Sequence, residues 1–145
     1  MRLSVKNDLL AFRQCILELS EVKKMAEDYV NIRLSAKASD IATRIEESRL
    51  FDSKISIAKF AMAYAIKKHF DEIDPLSIDM ERDATGLNYN VGSVDGDKFI
   101  SKFIEALYPE TKTPYKITRG LMIYGLEKLG ELLDNGQLYP LSNIM

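Results

Sequence analysis

The chain has 145 residues, 46% of them hydrophobic and 29% charged, with 20 basic against 22 acidic side chains. That mixture excludes a disordered tail, a collagen-like fibre and a disulfide scaffold, and a domain of this length buries enough surface to fold without a metal or cross-link. The net charge of −2 gives no global attraction to nucleic acid or an acidic membrane, and a lone cysteine, Cys15, beside a lone histidine, His69, argues against zinc and rules out an internal disulfide.

Met1 to Asn7 carries no apolar stretch of the signal-peptide kind, and no apolar run approaches the roughly 18 residues that span a bilayer. With a single cysteine, the expectation is a cytoplasmic protein without a membrane partner. The charge is uneven: residues 1–70 sum to +4, residues 71–97 to −7 and residues 98–145 to +1. The acids of 71–83 belong to a connector that either covers the basic surface of the first half or is a solvated loop.

Residues 7–28 are predicted to form an amphipathic helix, with Leu9, Phe12, Ile16, Leu19 and Val22 on one stripe. Its expected role is packing in the core, or docking a partner protein or a second copy, with Cys15 a small residue in the stripe. The period then switches: Val30-Asn31-Ile32-Arg33-Leu34-Ser35 alternates apolar and polar, as a half-buried strand does. Residues 36–49 return to helical spacing with Ala38, Ile41, Ala42 and Ile45. A break at Leu50–Ser53 follows, with Ser53 as N-cap of a second helix over 54–72 that Asp74-Pro75 ends. The connector 73–86 reads as irregular, with Leu76, Ile78 and Met80 spaced for a short strand or a packed turn. Alternation returns at Leu87–Gly92, and Asp95-Gly96-Asp97 is a turn. Residues 98–108 carry Phe99, Ile100, Phe103, Ile104 and Leu107 at helical spacing. Thr113-Pro114 starts a long helix to 134, and Asn135-Gly136 stops it before a tail over 135–145.

Both halves therefore read strand, helix, break, helix. Asn31–Ser35 falls on Asn88–Gly92 at an offset of 57, and Ile57, Lys59, Met62 and Tyr64 fall on Ile117, Arg119, Met122 and Tyr124 at 60. One strand with two helices cannot cover its own apolar face. Two copies can, by pairing their strands antiparallel with four helices behind. Arranged so, residues 30–72, and more weakly 87–134, resemble the ribbon-helix-helix DNA-binding proteins, and Ile55–Ala63 is faintly similar to the small subunit of the DNA phosphorothioation machinery. Both resemblances imply double-stranded DNA as partner, the second within a defence system. The expected fold is one domain, mainly α with a short two-stranded antiparallel ribbon. It is a ribbon-helix-helix-like pseudo-repeat plus an N-terminal helix, with units at 30–72 and 87–134.

If Ile32, Leu34, Tyr89 and Val91 face inward, Asn31, Arg33, Ser35, Asn88 and Asn90 face outward. A two-stranded ribbon fits the major groove, where Arg reads guanine and Asn reads adenine. Lys37, Ser53, Lys54 and Thr113 are the candidate phosphate contacts, the latter three at helix N-termini, with Arg44 and Lys112 adding charge. The other function class is a non-catalytic protein-interaction subunit. No nucleophile elbow, P-loop or metalloprotease motif occurs, so neither an enzyme nor a cofactor is expected. Asp79, Glu81 and Asp83 mimic the start of a calcium loop, but Ala84 and Asn90 stand where Gly and Glu belong, so no metal site is assigned.

Overall fold

The structure, a computed structural model, describes Arg13, Gln14 and residues 27–145. Arg13 and Gln14 are helical; of the helix expected over 7–28, residues 7–12 and 15–26 lie outside the described residues, and Glu27 and Asp28 are not helical. Strand β1 (Asn31–Arg33) is followed by α1 (Ala36–Glu46), α2 (Lys54–His69) with a 3₁₀ turn at Phe70–Glu72, and α3 (Pro75–Glu81). Strand β2 (Asn88–Asn90) leads into a one-turn helix α4 (Val91–Val94), then α5 (Phe99–Leu107) and α6 (Pro114–Asp134). The protein is mainly helical with one two-stranded antiparallel sheet; β1 is followed by α1, α2 and α3, and β2 by α4, α5 and α6.

Local chemistry sets the boundaries. The Ser35 hydroxyl accepts from the Ala38 amide to start α1, and the Ser53 hydroxyl accepts from the Ser56 amide to start α2. Pro114 occupies the first turn of α6. That helix ends where Gly136 takes φ +68°. Its amide donates to Leu133 O and the Gln137 amide to Leu132 O, the paired bonds of a Schellman stop.

One apolar core lies behind the ribbon. Ile32 and Leu34 of the first strand segment join Ala38, Ile41 and Ile45 of α1, Ile57, Ala61 and Met62 of α2, and Leu121, Met122, Leu126 and Leu129 of α6. Helices α2 and α6 make the most extensive contact between elements. They meet so closely that a Cβ at Gly125 would land on the Ala61 carbonyl. Helix α3 also packs on α6.

The connector differs from expectation. Residues 75–81 are a helix, not a strand or turn, because the Asp74 carboxylate accepts from the Ser77 amide and Pro75 fills the first helical position. The preceding helix has already ended at His69, with its 3₁₀ turn closing at Glu72, so the Asp-Pro pair serves as a start signal.

Candidate nucleic-acid interface

The ribbon is built on the register Asn31 opposite Asn90, Ile32 opposite Tyr89 and Arg33 opposite Asn88. The pairing continues one residue each way: the Val91 amide donates to Val30 O at 3.0 Å and the Leu34 amide to Leu87 O at 2.8 Å. Ile32 is fully buried, and Tyr89 and Val91 pack against the core, so the period-2 alternation sends Asn31, Arg33, Asn88 and Asn90 outward, all exposed. Four outward side chains without a carboxylate thus sit around a local two-fold axis through the Ile32–Tyr89 pair. That axis exchanges Asn31 with Asn88, and Arg33 with Asn90.

Among the described residues, no side-chain partner is found for Asn31, Arg33 or Asn88. Asn90 differs: its side-chain carbonyl accepts from the Gly92 amide at 2.8 Å and caps α4. Ser35 does not face outward. It is 1% exposed and spent as the α1 cap, because the helix starting at Ala36 claims the residue at which the alternation ends.

The two helix N-termini expected to meet phosphates are unlike each other. At α2, Ser53 is half-buried and caps its helix, but the amides of Lys54 and Ile55 have no acceptor among the described residues. Lys54 Nζ lies 3.7 Å from Glu46 in a half-exposed pair, and Lys37 is exposed in the first turn of α1. At α6 the expectation fails. Thr113 is 6% exposed, and the amides of Tyr115 and Lys116 donate to the Asp28 carboxylate at 3.0 and 3.1 Å. The chain's own carboxylate fills the anion site of that helix. Arg44 is engaged with Asp134 at 2.6 Å, and Lys112 is exposed.

The connector does not hang over the ribbon as a free acidic screen. Arg119 of α6, 3% exposed, reaches it from the core: Nη1 donates to Asp79 Oδ1 and Asp79 O, both at 2.9 Å, Nη2 donates to Asp83 O at 2.5 Å, and Nε donates to Arg33 O at 2.6 Å. Tyr29 completes the cluster, its hydroxyl donating to the Asp79 carboxylate at 2.8 to 2.9 Å. Burial and this bond push the Tyr29 pKa up to about 12. Asp83 accepts from the Thr85 hydroxyl and the Ala36 amide, which hold its pKa below the usual carboxylate value. Asp79 and Asp83 are therefore structural, and with Glu81 exposed the three do not converge on a cation. Among the described residues no cluster of His, Cys, Asp or Glu could hold a metal ion, and no helix is long and apolar enough to cross a membrane.

Sequence reading missed this cluster. Arg119 and Asp79 lie 40 residues apart, and nothing local marks Asp79 as buried. The one available signal was Arg119 itself, a cation in the middle of a run of core residues on α6, which calls for a buried partner. No protein-family model, curated protein or solved structure matches the chain.

Proposed function

We propose that the chain binds double-stranded DNA through the outer face of the β1–β2 ribbon, as a regulator or as a component of a DNA-processing or defence system. The observation that carries this reading is the four-residue outer face: two strands present Asn31, Arg33, Asn88 and Asn90 to solvent with no carboxylate among them. A two-stranded ribbon has the width of the major groove, and guanidinium and carboxamide groups match the edges of guanine and adenine. The buried Arg119 fork supports the role by tying the Arg33 carbonyl to the core, which orients the reading strand before any ligand arrives. The free amides at the start of α2, with Lys37 and Lys54, offer one set of phosphate contacts.

Fluorescence anisotropy with labelled duplexes tests the reading. Few cations are involved, so log K is expected to fall with log salt at a slope of about −2 to −4. Arg33→Ala should weaken a preferred duplex by about 5- to 150-fold and a random duplex far less. Absence of binding to any duplex at low salt contradicts the proposal.

A specific observation favours a second reading, the non-catalytic interaction subunit. Phe99 and Phe103 stack at 6.1 Å on α5 while 65% and 39% exposed, beside Met62, Ala63 and Ile66 of α2. This reading takes a second copy of the chain as occupant of that face. It predicts a solution mass above the monomer that Phe99→Ser with Phe103→Ser reduces to the monomer.

A further inference from the structure

We infer that one chain reads an asymmetric duplex site, in which Asn31 and Asn88 take adenines related by the ribbon's two-fold axis while Arg33 takes a guanine on one side only. This rests on the DNA-binding reading above and specifies its target. Two independent observations carry it. On the ribbon, the axis that exchanges Asn31 with Asn88 exchanges Arg33 with Asn90. Bidentate recognition of adenine needs the asparagine carbonyl to accept from the base amino group while its NH₂ donates to N7. The Asn90 carbonyl is turned back onto the Gly92 amide to cap α4, so reading adenine bidentately would cost Asn90 that cap. At the flanks, the α2 N-terminus leaves the Lys54 and Ile55 amides open, whereas the corresponding α6 N-terminus is closed by Asp28. Base contact and phosphate contact are thus reduced on the same, second half of the chain.

Geometry keeps the specified core short. Residues two apart on a strand are separated by roughly 6.7 Å, and paired residues across the ribbon by about 5 Å. The four outward positions therefore cover only a few base-pair steps, and both strands come from one polypeptide. A second copy is not needed to complete the reading face.

Selection of the full-length protein on a randomised duplex pool, followed by anisotropy and binding stoichiometry on the enriched duplex, tests this. The expected result is one chain per site and a consensus with A·T pairs at two-fold related positions and a guanine on one side only. Arg33→Asn should lower the preference for that guanine by about 5- to 150-fold. Asn31→Ala and Asn88→Ala should each abolish the adenine preference at one of the two related positions. A perfect inverted repeat bound by two chains overturns the inference and leaves DNA binding standing. So does binding without base preference, or an A·T preference that survives Asn31→Ala and Asn88→Ala. No enrichment of any duplex overturns the inference together with the reading beneath it.

Discussion

Replacing Arg119 by Met is expected to be the most damaging conservative-volume change in the molecule. The guanidinium, 3% exposed, satisfies three backbone carbonyls, those of Arg33, Asp79 and Asp83, and the Asp79 carboxylate. Methionine fills much of the space but donates nothing. Among the described residues, the Asp79 side chain, 5% exposed, then keeps only the Tyr29 hydroxyl as a donor. Removing one partner of a buried ion pair costs about 3–5 kcal/mol, because the other charge stays behind in low dielectric. Against a total stability of about 5–15 kcal/mol, that is a large fraction. With a urea slope of roughly 2 kcal/mol per M for a domain of this size, the midpoint should fall by about 1.5–2.5 M. Arg119→Lys should recover only part of this, since an ammonium cannot span the fork. Adding Asp79→Leu to Arg119→Met should restore about 1–3 kcal/mol by removing the stranded charge. A midpoint shift below about 0.5 M for Arg119→Met would refute the claim that this cluster joins connector, ribbon and α6.

Three further outcomes follow from the same contacts. Gly125→Ala should lose about 1–3 kcal/mol in urea titration, because the new methyl meets the Ala61 carbonyl and the overlap outweighs the roughly 1 kcal/mol gained in helix propensity. Tyr89→Phe should be neutral or stabilising by up to about 1 kcal/mol, since the Tyr89 hydroxyl is buried with no partner among the described residues. For Tyr29 the folded pKa of about 12 lies above the ordinary value of 10.0, so the phenol's contribution is complete below pH 10 and lost as pH rises from 10 to about 12. Urea midpoints across that range should fall less steeply in Tyr29→Phe than in the parent chain. An equal fall would mean that Tyr29 titrates normally.

Much of the fold is written in local signals. The alternation through Ile32 and Leu34 marks β1, the hydroxyl of Ser53 and the ring of Pro114 mark helix starts, and Gly136 marks a stop. These features depend on residues a few positions apart, so periodicity and capping chemistry reveal them. Where two local signals compete, the reading goes astray. Ser35 ends an alternating strand and also begins a helix, and the cap wins. Asp74-Pro75 reads as the end of one helix but caps the next, and α3 is missed as a result. Features made by distant residues leave no local trace. Asp28 closes the N-terminus of α6 from 87 residues away, so Thr113 looks like an open phosphate site until the chain is folded. The Arg119–Asp79 pair turns part of an apparently solvated acidic connector into core, and the −7 of residues 71–97 is correspondingly less available as a screen. At the ribbon, the outward placement of Asn31, Arg33, Asn88 and Asn90 is legible from alternation alone. The commitment of the Asn90 carbonyl to a helix cap is not.

DNA binding as proposed depends on contact between the ribbon's outer face and the duplex. It is tested most directly by following ¹⁵N–¹H spectra of the full-length protein during titration with duplex DNA, including the Asn side-chain NH₂ and Arg Nε–H signals. Asn31, Arg33, Asn88 and the Lys54–Ile55 amides are expected to shift together, while Phe99 and Phe103 stay in place. Unmoved ribbon signals, or shifts centred on Phe99 and Phe103, would contradict it.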